Sequence, residues 1–274
     1  MIRGGRIGRH VMRAGLGAAL IVAAAWSSAL GITVSVTPTN LVILAGQSGD
    51  LTLTNPDQAA ATYDLRIGNY EIRPDGSVRI DPKEPPSRSA RDWLKVSPTT
   101  VQLAAGASTT LHITSRRVST AAPGDHHALV LISSRPEATP SGVAVRARVG
   151  IGVLVRVPGD IIRKVIAARP YVVTSAGSRS VRVKLTNRGN VNERFLTGQI
   201  RMQVLQGHRV IARLRARPQS ILPGTSGVIS LPYRGRVHGL LRVVVSIRLA
   251  RPAVAGPGIA STPAPIFRST TLVL

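Results

Sequence analysis

Leu51-Thr52-Leu53-Thr54-Asn55 has an echo in Val183-Lys184-Leu185-Thr186-Asn187. Each stretch alternates apolar and polar residues and ends on Asn, and side chains two apart share one face of a strand. Two further signals recur in the same order. Leu103-Ala104-Ala105-Gly106 precedes one strand as Leu222-Pro223-Gly224 precedes another, and Gly124 leads into Leu129–Ile132 as Gly239 leads into Val243–Ile247. The chain therefore reads as one scheme of short strands used twice.

Around these anchors the first half predicts strands at Ile32–Val36, Tyr63–Ile72, Val78–Ile80, Trp93–Val96, Val101–Leu103, Thr109–Thr114, His127–Ser133 and Val143–Val157. Pro74-Asp75-Gly76-Ser77 and Pro123-Gly124-Asp125 read as turns. No long 3.6-residue period is present. The expected fold is all-β, two tandem immunoglobulin-like β-sandwiches over residues 32–158 and 161–274, hinged at Val157-Pro158-Gly159-Asp160. The alternative is one large irregular β domain. A Pro/Gly-rich segment, 252–265, precedes Ile266–Leu274, which is either a last edge strand or a loose tail.

Residues 1–31 read as a signal peptide. Arg3, Arg6, Arg9 and Arg13 are basic, Ala14 to Trp26 is apolar, and small residues follow, with cleavage expected after Ala29 or Gly31. An uncleaved anchor is the alternative, although the apolar run is short for a span of about 20 residues. The expected location is extracytoplasmic: periplasm, cell wall or secreted. There is no Cys, which excludes disulfides, thiolate metal sites and Cys nucleophiles.

The formal charge of +24 is unevenly placed. Residues 32–160 carry 13 basic and 11 acidic side chains, whereas residues 161–274 carry 19 basic ones against a single acid, Glu193. Alternation with apolar neighbours predicts one cationic sheet face made of Arg182, Lys184, Arg201, Arg213, Arg215 and Arg217. Such a face attracts polyanions through salt-screened contacts, or simply keeps the domain soluble. The partners considered are an anionic cell-wall polymer, a surface or pilin-like protein, and a membrane surface. Nucleic acid is not expected, because stacking aromatics are few and the leader directs export.

No catalytic residues, cofactor or metal site are expected. No nucleophile elbow or phosphate loop occurs. His126 and His127 beside Asp125 are adjacent on a strand and so point to opposite faces. Asp64, Glu71 and Asp75 lack a cleft suited to paired carboxylates. Trp93 reads as a core anchor.

The first half resembles the N-terminal domain of PapD-like periplasmic pilus chaperones. The segments concerned are Leu51–Pro56, Asp92-Trp93-Leu94-Lys95-Val96-Ser97-Pro98, Leu103–Gly106, Pro123–Ala128 and Val153-Leu154-Val155-Arg156-Val157-Pro158. The second half, with Asn187-Arg188-Gly189-Asn190-Val191 and Leu222-Pro223-Gly224, resembles the immunoglobulin-like module of WxL-interacting cell-surface proteins. The chaperone resemblance implies an Arg on the first strand and a Lys on the last that hold a client's terminal carboxylate. Here Ile32–Val36 has no basic residue and Gly152 stands near the Lys position, so that anchor does not carry over. The WxL resemblance implies a membrane span and basic tail, which the sequence up to Leu274 does not contain. The expected function is a non-enzymatic envelope protein that binds or scaffolds a surface protein or anionic wall polymer. The alternative is an assembly chaperone for a pilin-like or surface protein.

Overall fold

The structure is a computed structural model that describes residues 34–136, 146–235, 237, 239–249 and 265–273. The expected signal peptide 1–31 and residues 252–264 of the Pro/Gly-rich segment lie outside these. The first half contains β1 (Ser35–Thr37), β2 (Asn40–Leu44), β3 (Ser48–Thr54), β4 (Ala61–Gly68), β5 (Tyr70–Ile72) and β6 (Val78–Ile80). A single 3-10 turn, Arg91–Trp93, precedes β7 (Leu94–Ser97), β8 (Thr100–Leu103), β9 (Ser108–Ser115), β10 (Gly124–Ser134) and β11 (Arg148–Val157).

These strands form a sandwich of two sheets, β1-β3-β9-β7 and β2-β11-β10-β4-β8. Alternation drives the closure. Leu51 and Leu53 of β3 and Leu111 and Ile113 of β9 are buried, while the residues between them face outward. They meet Val130 and Ile132 of β10 and Val153 and Val155 of β11 in one aliphatic core. Burying each such side chain is worth about 1.5–3 kcal/mol.

The chain passes back and forth between the two sheets, and a proline stands at two of these crossings. Pro38 separates β1 from β2, and Pro98 separates β7 from β8. Proline has no N–H to offer a ladder, so pairing ends there. The expected strand Ile32–Val36 is thus corrected to β1, with β2 an additional strand in the opposite sheet. Tyr63–Ile72 is not one strand either. It breaks at Asn69, whose buried N–H donates to Asp81 Oδ1 at 2.9 Å.

The second half contains β12 (Val165–Ala167), β13 (Tyr171–Ser175), β14 (Ser178–Asn187), β15 (Glu193–Phe195), β16 (Ile200–Gln206), β17 (Arg209–Arg215), β18 (Gln219–Ile221), β19 (Ser226–Tyr233), β20 (Leu240–Ile247) and β21 (Ile266–Val273). One sheet joins β12, β13 and β19 to β14, and the other runs β17-β16-β20-β21. Their inner faces share a second core containing Val181, Val183 and Leu185 from β14 and Met202, Val204, Val243 and Val245 from the facing sheet. β21 pairs with β20 along its length, so this part of the chain is an edge strand.

The echo that opens the sequence argument is physical. Asn55 and Asn187 are both fully buried. Asn55 Nδ2 donates to the carbonyls of Ala59, Leu103 and Ala104, and Asn187 Nδ2 donates to those of Val191 and Ile221. Each Oδ1 accepts the N–H two residues on, from Asp57 and Gly189. Each backbone N–H donates to the carbonyl just before the paired strand, Ala107 ahead of β9 and Thr225 ahead of β19. In both domains this Asn ties a strand end to the loop before the strand paired with it, satisfying carbonyls that no ladder reaches. Gly106 and Gly224, at φ +69 and +74, close the two turns.

Candidate functional site

β10 is buried along almost its whole length and pairs with β11 from Gly124↔Val157 to Ser133↔Arg148. On its other side β11 meets β2 in parallel, but only from Gly152↔Asn40 to Arg156↔Leu44. Among the described residues, Arg148–Ile151 therefore has one ladder edge without a partner strand. Val149, Ile151, Val153 and Val155 point to the core side. The sequence signal is longer than the strand. Every second residue from Val143 through Val145, Ala147, Val149, Ile151, Val153 and Val155 to Val157 is apolar. The first part of the expected strand, 143–145, lies outside the described residues.

The opposite face of β11 carries Gly150, Gly152, Leu154 and Arg156. A Cβ on Gly152 would stand 3.4 Å from Asn40 Oδ1 and 3.6 Å from the Tyr70 hydroxyl. Tyr70 is itself buried, which pushes its hydroxyl pKa up. Arg156 does not face a client at this place, because Asp125 takes its guanidinium in a two-bond fork at 2.7 and 3.0 Å.

Asp125 lies where the two halves of the chain meet. Its N–H donates to the Asn190 carbonyl at 2.7 Å, and its Oδ2 accepts the Asn192 N–H at 2.8 Å. A Cβ on Gly124 would collide with the Asn190 carbonyl, so glycine is required there both for contact and for its φ of +108. The expected turn Pro123-Gly124-Asp125 is corrected accordingly: β10 begins at Gly124, and Asp125 is a buried member of it. A second buried fork joins Arg163 to Glu193 at 2.8 and 2.6 Å. Between the domains, Tyr70, Leu129 and Leu131 pack with Leu222, and the Val228 N–H donates to the Pro74 carbonyl.

His126 and His127 point apart, as expected for neighbours on a strand. His126 packs against Trp93 and bonds the Ala122 carbonyl at 2.9 Å, and burial lowers its pKa. Trp93 is only partly buried at the edge of the core. His127 lies edge-on to Tyr70, and neither ring nitrogen has a hydrogen-bond partner among the described residues. Burial pulls its pKa down to about 4, against an opposing pull from the nearby Tyr70 backbone. Asp64 pairs with Arg135 and Glu71 with Arg79, both exposed. Among the described residues no group of three or more His, Asp or Glu could hold a metal, and no helix is long and apolar enough to cross a membrane.

The six cations expected on one face are divided. Arg182 and Lys184 project from β14, with Val181, Val183 and Leu185 turned inward. Arg201 projects from β16 and Arg213 and Arg215 from β17, in the sheet across the core. Arg217 follows β17 outside any strand. The two outward faces look away from each other, which corrects the single cationic face. Alternation specifies which side of its own sheet a residue takes, not which sheet of the sandwich the strand joins. The structure does bring Arg201 and Arg215 together as direct cross-strand neighbours.

No family model and no curated protein matches the sequence. Among solved structures, the chain is similar to the class 5 fimbriae chaperone CfaA, with a TM-score of 0.49 and 12% identity, covering 86% of this chain and 99% of that one. It is also similar to a structure of the Salmonella enterica SafA pilin in complex with the SafB chaperone, with a TM-score of 0.47 and 13% identity, covering 86% and 95%. The Escherichia coli chaperone DraB is similar at a TM-score of 0.45 and 15% identity, covering 80% and 92%.

Proposed function

We propose that this chain is a non-enzymatic assembly chaperone acting outside the cytoplasm, which holds a pilin-like or surface protein by adding its own β11 to the client's sheet. The observation that carries this reading is the half-covered strand. Among the described residues, no strand pairs with the outer edge of Arg148–Ile151, which lies beside a buried β10. An extended edge of this kind forms main-chain hydrogen bonds with an incoming strand, and its alternate side chains supply selectivity. The apolar alternation Val145, Ala147, Val149 and Ile151 suits a client fold with an unfilled strand position. Gly152, Asn40 and Tyr70 offer hydrogen bonding without a cation, so the client is held along its strand rather than by a terminal carboxylate.

The test is a photo-crosslinking side chain at Arg148, with a second at Arg182 as control. Both are presented with a pilin-type immunoglobulin domain lacking its own final strand. An adduct at position 148 alone, lost in Val149→Lys, is the expected result. Equal adducts from both positions, or none at 148, would overturn the reading.

A further inference from the structure

The sheet β17-β16-β20-β21 turns a surface to solvent that the strand-addition reading does not use. Register places Arg215, Arg201, Ser246 and Phe267 in one row across its four strands. The next row holds Arg213, Gln203 and Val244, and Arg242 lies beyond it on β20. The four arginines are exposed. None forms an ion pair among the described residues, and these strands contain no Asp or Glu. The one acid of this half, Glu193, is buried against Arg163. Among these arginines stand two large apolar side chains that the core does not claim, Phe267 at 60% exposure and Leu240 at 73%.

We infer that this face docks on an anionic phospholipid bilayer. Guanidinium groups bind phosphodiesters through paired N–H donors. A basic face alone would serve any polyanion. Exposed Phe and Leu set among the arginines match the interfacial zone of a bilayer, where cations meet lipid phosphates and apolar tips enter the acyl boundary. A single sheet face also offers its cations in one layer to a planar surface. Arg182 and Lys184 project on the far side of the sandwich, so the inference assigns the surface contact to Arg201, Arg213, Arg215 and Arg242, with Phe267 and Leu240. This holds independently of the client reading, because it uses other strands.

The experiment is sedimentation of the chain from Ile32, which carries every described strand and both cores, with phosphatidylcholine vesicles with and without phosphatidylglycerol. Binding is expected only with the anionic lipid, and it should weaken as salt rises. Replacing Arg201, Arg213, Arg215 and Arg242 by Gln should weaken binding about fivefold for each residue removed. Removing equal charge at Arg182, Lys184, Arg188 and Arg194 should cost far less. Phe267→Ser should reduce vesicle binding while leaving binding to soluble polyphosphate unchanged. Three results overturn the inference: no binding to anionic vesicles at low salt, equal losses from the two four-residue variants, or polyphosphate binding as tight as vesicle binding with Phe267→Ser silent in both.

Discussion

The two domains end a strand in the same way and use charge in opposite ways. Asn55 and Asn187 make matching bonds to matching loops. On the surface the likeness stops. The first domain pairs its exposed charges locally, in Arg66–Asp81, Arg79–Glu71 and Arg135–Asp64, and a hydrogen bond joins His112 Nδ1 and Asp50 Oδ1. The second has one acid and hides it against Arg163. Exposed pairs contribute little to stability, so a sandwich tolerates either pattern, and surface charge is left free for recognition. The buried groups are not free, and the largest expected effects lie with them.

Asp125→Ala leaves Arg156 buried without its fork and removes the acceptor for the Asn192 N–H. The expected loss is about 3–5 kcal/mol in denaturant unfolding. Glu193→Ala should cost a similar amount through Arg163. If Asp125→Leu with Arg156→Met restores most of the loss, the pair serves geometry more than stability. A loss as small as that of an exposed pair would mean that the junction is not sealed as the structure places it.

The next effect separates the domains by pH. His127 is buried with its pKa at about 4, against an ordinary 6.5. Between these values the unfolded chain takes up a proton that the folded chain refuses. Stability therefore falls as pH drops through this window, by on the order of 3 kcal/mol over its full width. His126 acts in the same direction. Asp64, Asp75 and Asp81 have lowered pKa values, so their share is lost only below the ordinary carboxylate range. Unfolding followed from neutral pH to about 5 thus isolates the histidines. His127→Leu should flatten the slope, and an unchanged slope would refute the assignment. The second domain has no buried His among its described residues.

Asn55→Ala and Asn187→Ala test the likeness itself. Each strands buried carbonyls, and each should cost about 2 kcal/mol. Closely equal losses would support a shared device, whereas a silent change in one domain would make the repeat a coincidence of sequence.

The repeat was legible because it rests on local chemistry: an alternating strand, an Asn and a turn glycine. What stayed hidden depends on distant partners. Asp125 follows Pro-Gly and reads as a turn residue until Arg156, thirty-one positions on, is seen beside it. β2 is not legible in the sequence, because Asn40–Leu44 is a short apolar stretch whose partner is a parallel strand far along the chain. The open edge of β11 had a signal, the long alternation into Val157, but alternation alone does not reveal where β2 stops. Five of the six cations take the outward side of their strand that alternation predicts, Arg217 lies outside any strand, and the five are split between two faces.

The smallest effect has the opposite sign. Arg201 and Arg215 stand directly across from each other on β16 and β17, and like charges in that relation are unfavourable by about 0.2–1 kcal/mol. Arg215→Thr should therefore raise the melting temperature slightly at low salt, with the gain shrinking as salt screens the pair. The same change in the first domain, Arg135→Thr, removes a partner of Asp64 and should not stabilise. If both substitutions stabilise equally, relief of net charge explains the gain. If only Arg215→Thr does, the second domain holds its arginines together against their own repulsion, as a surface shaped for an anion requires.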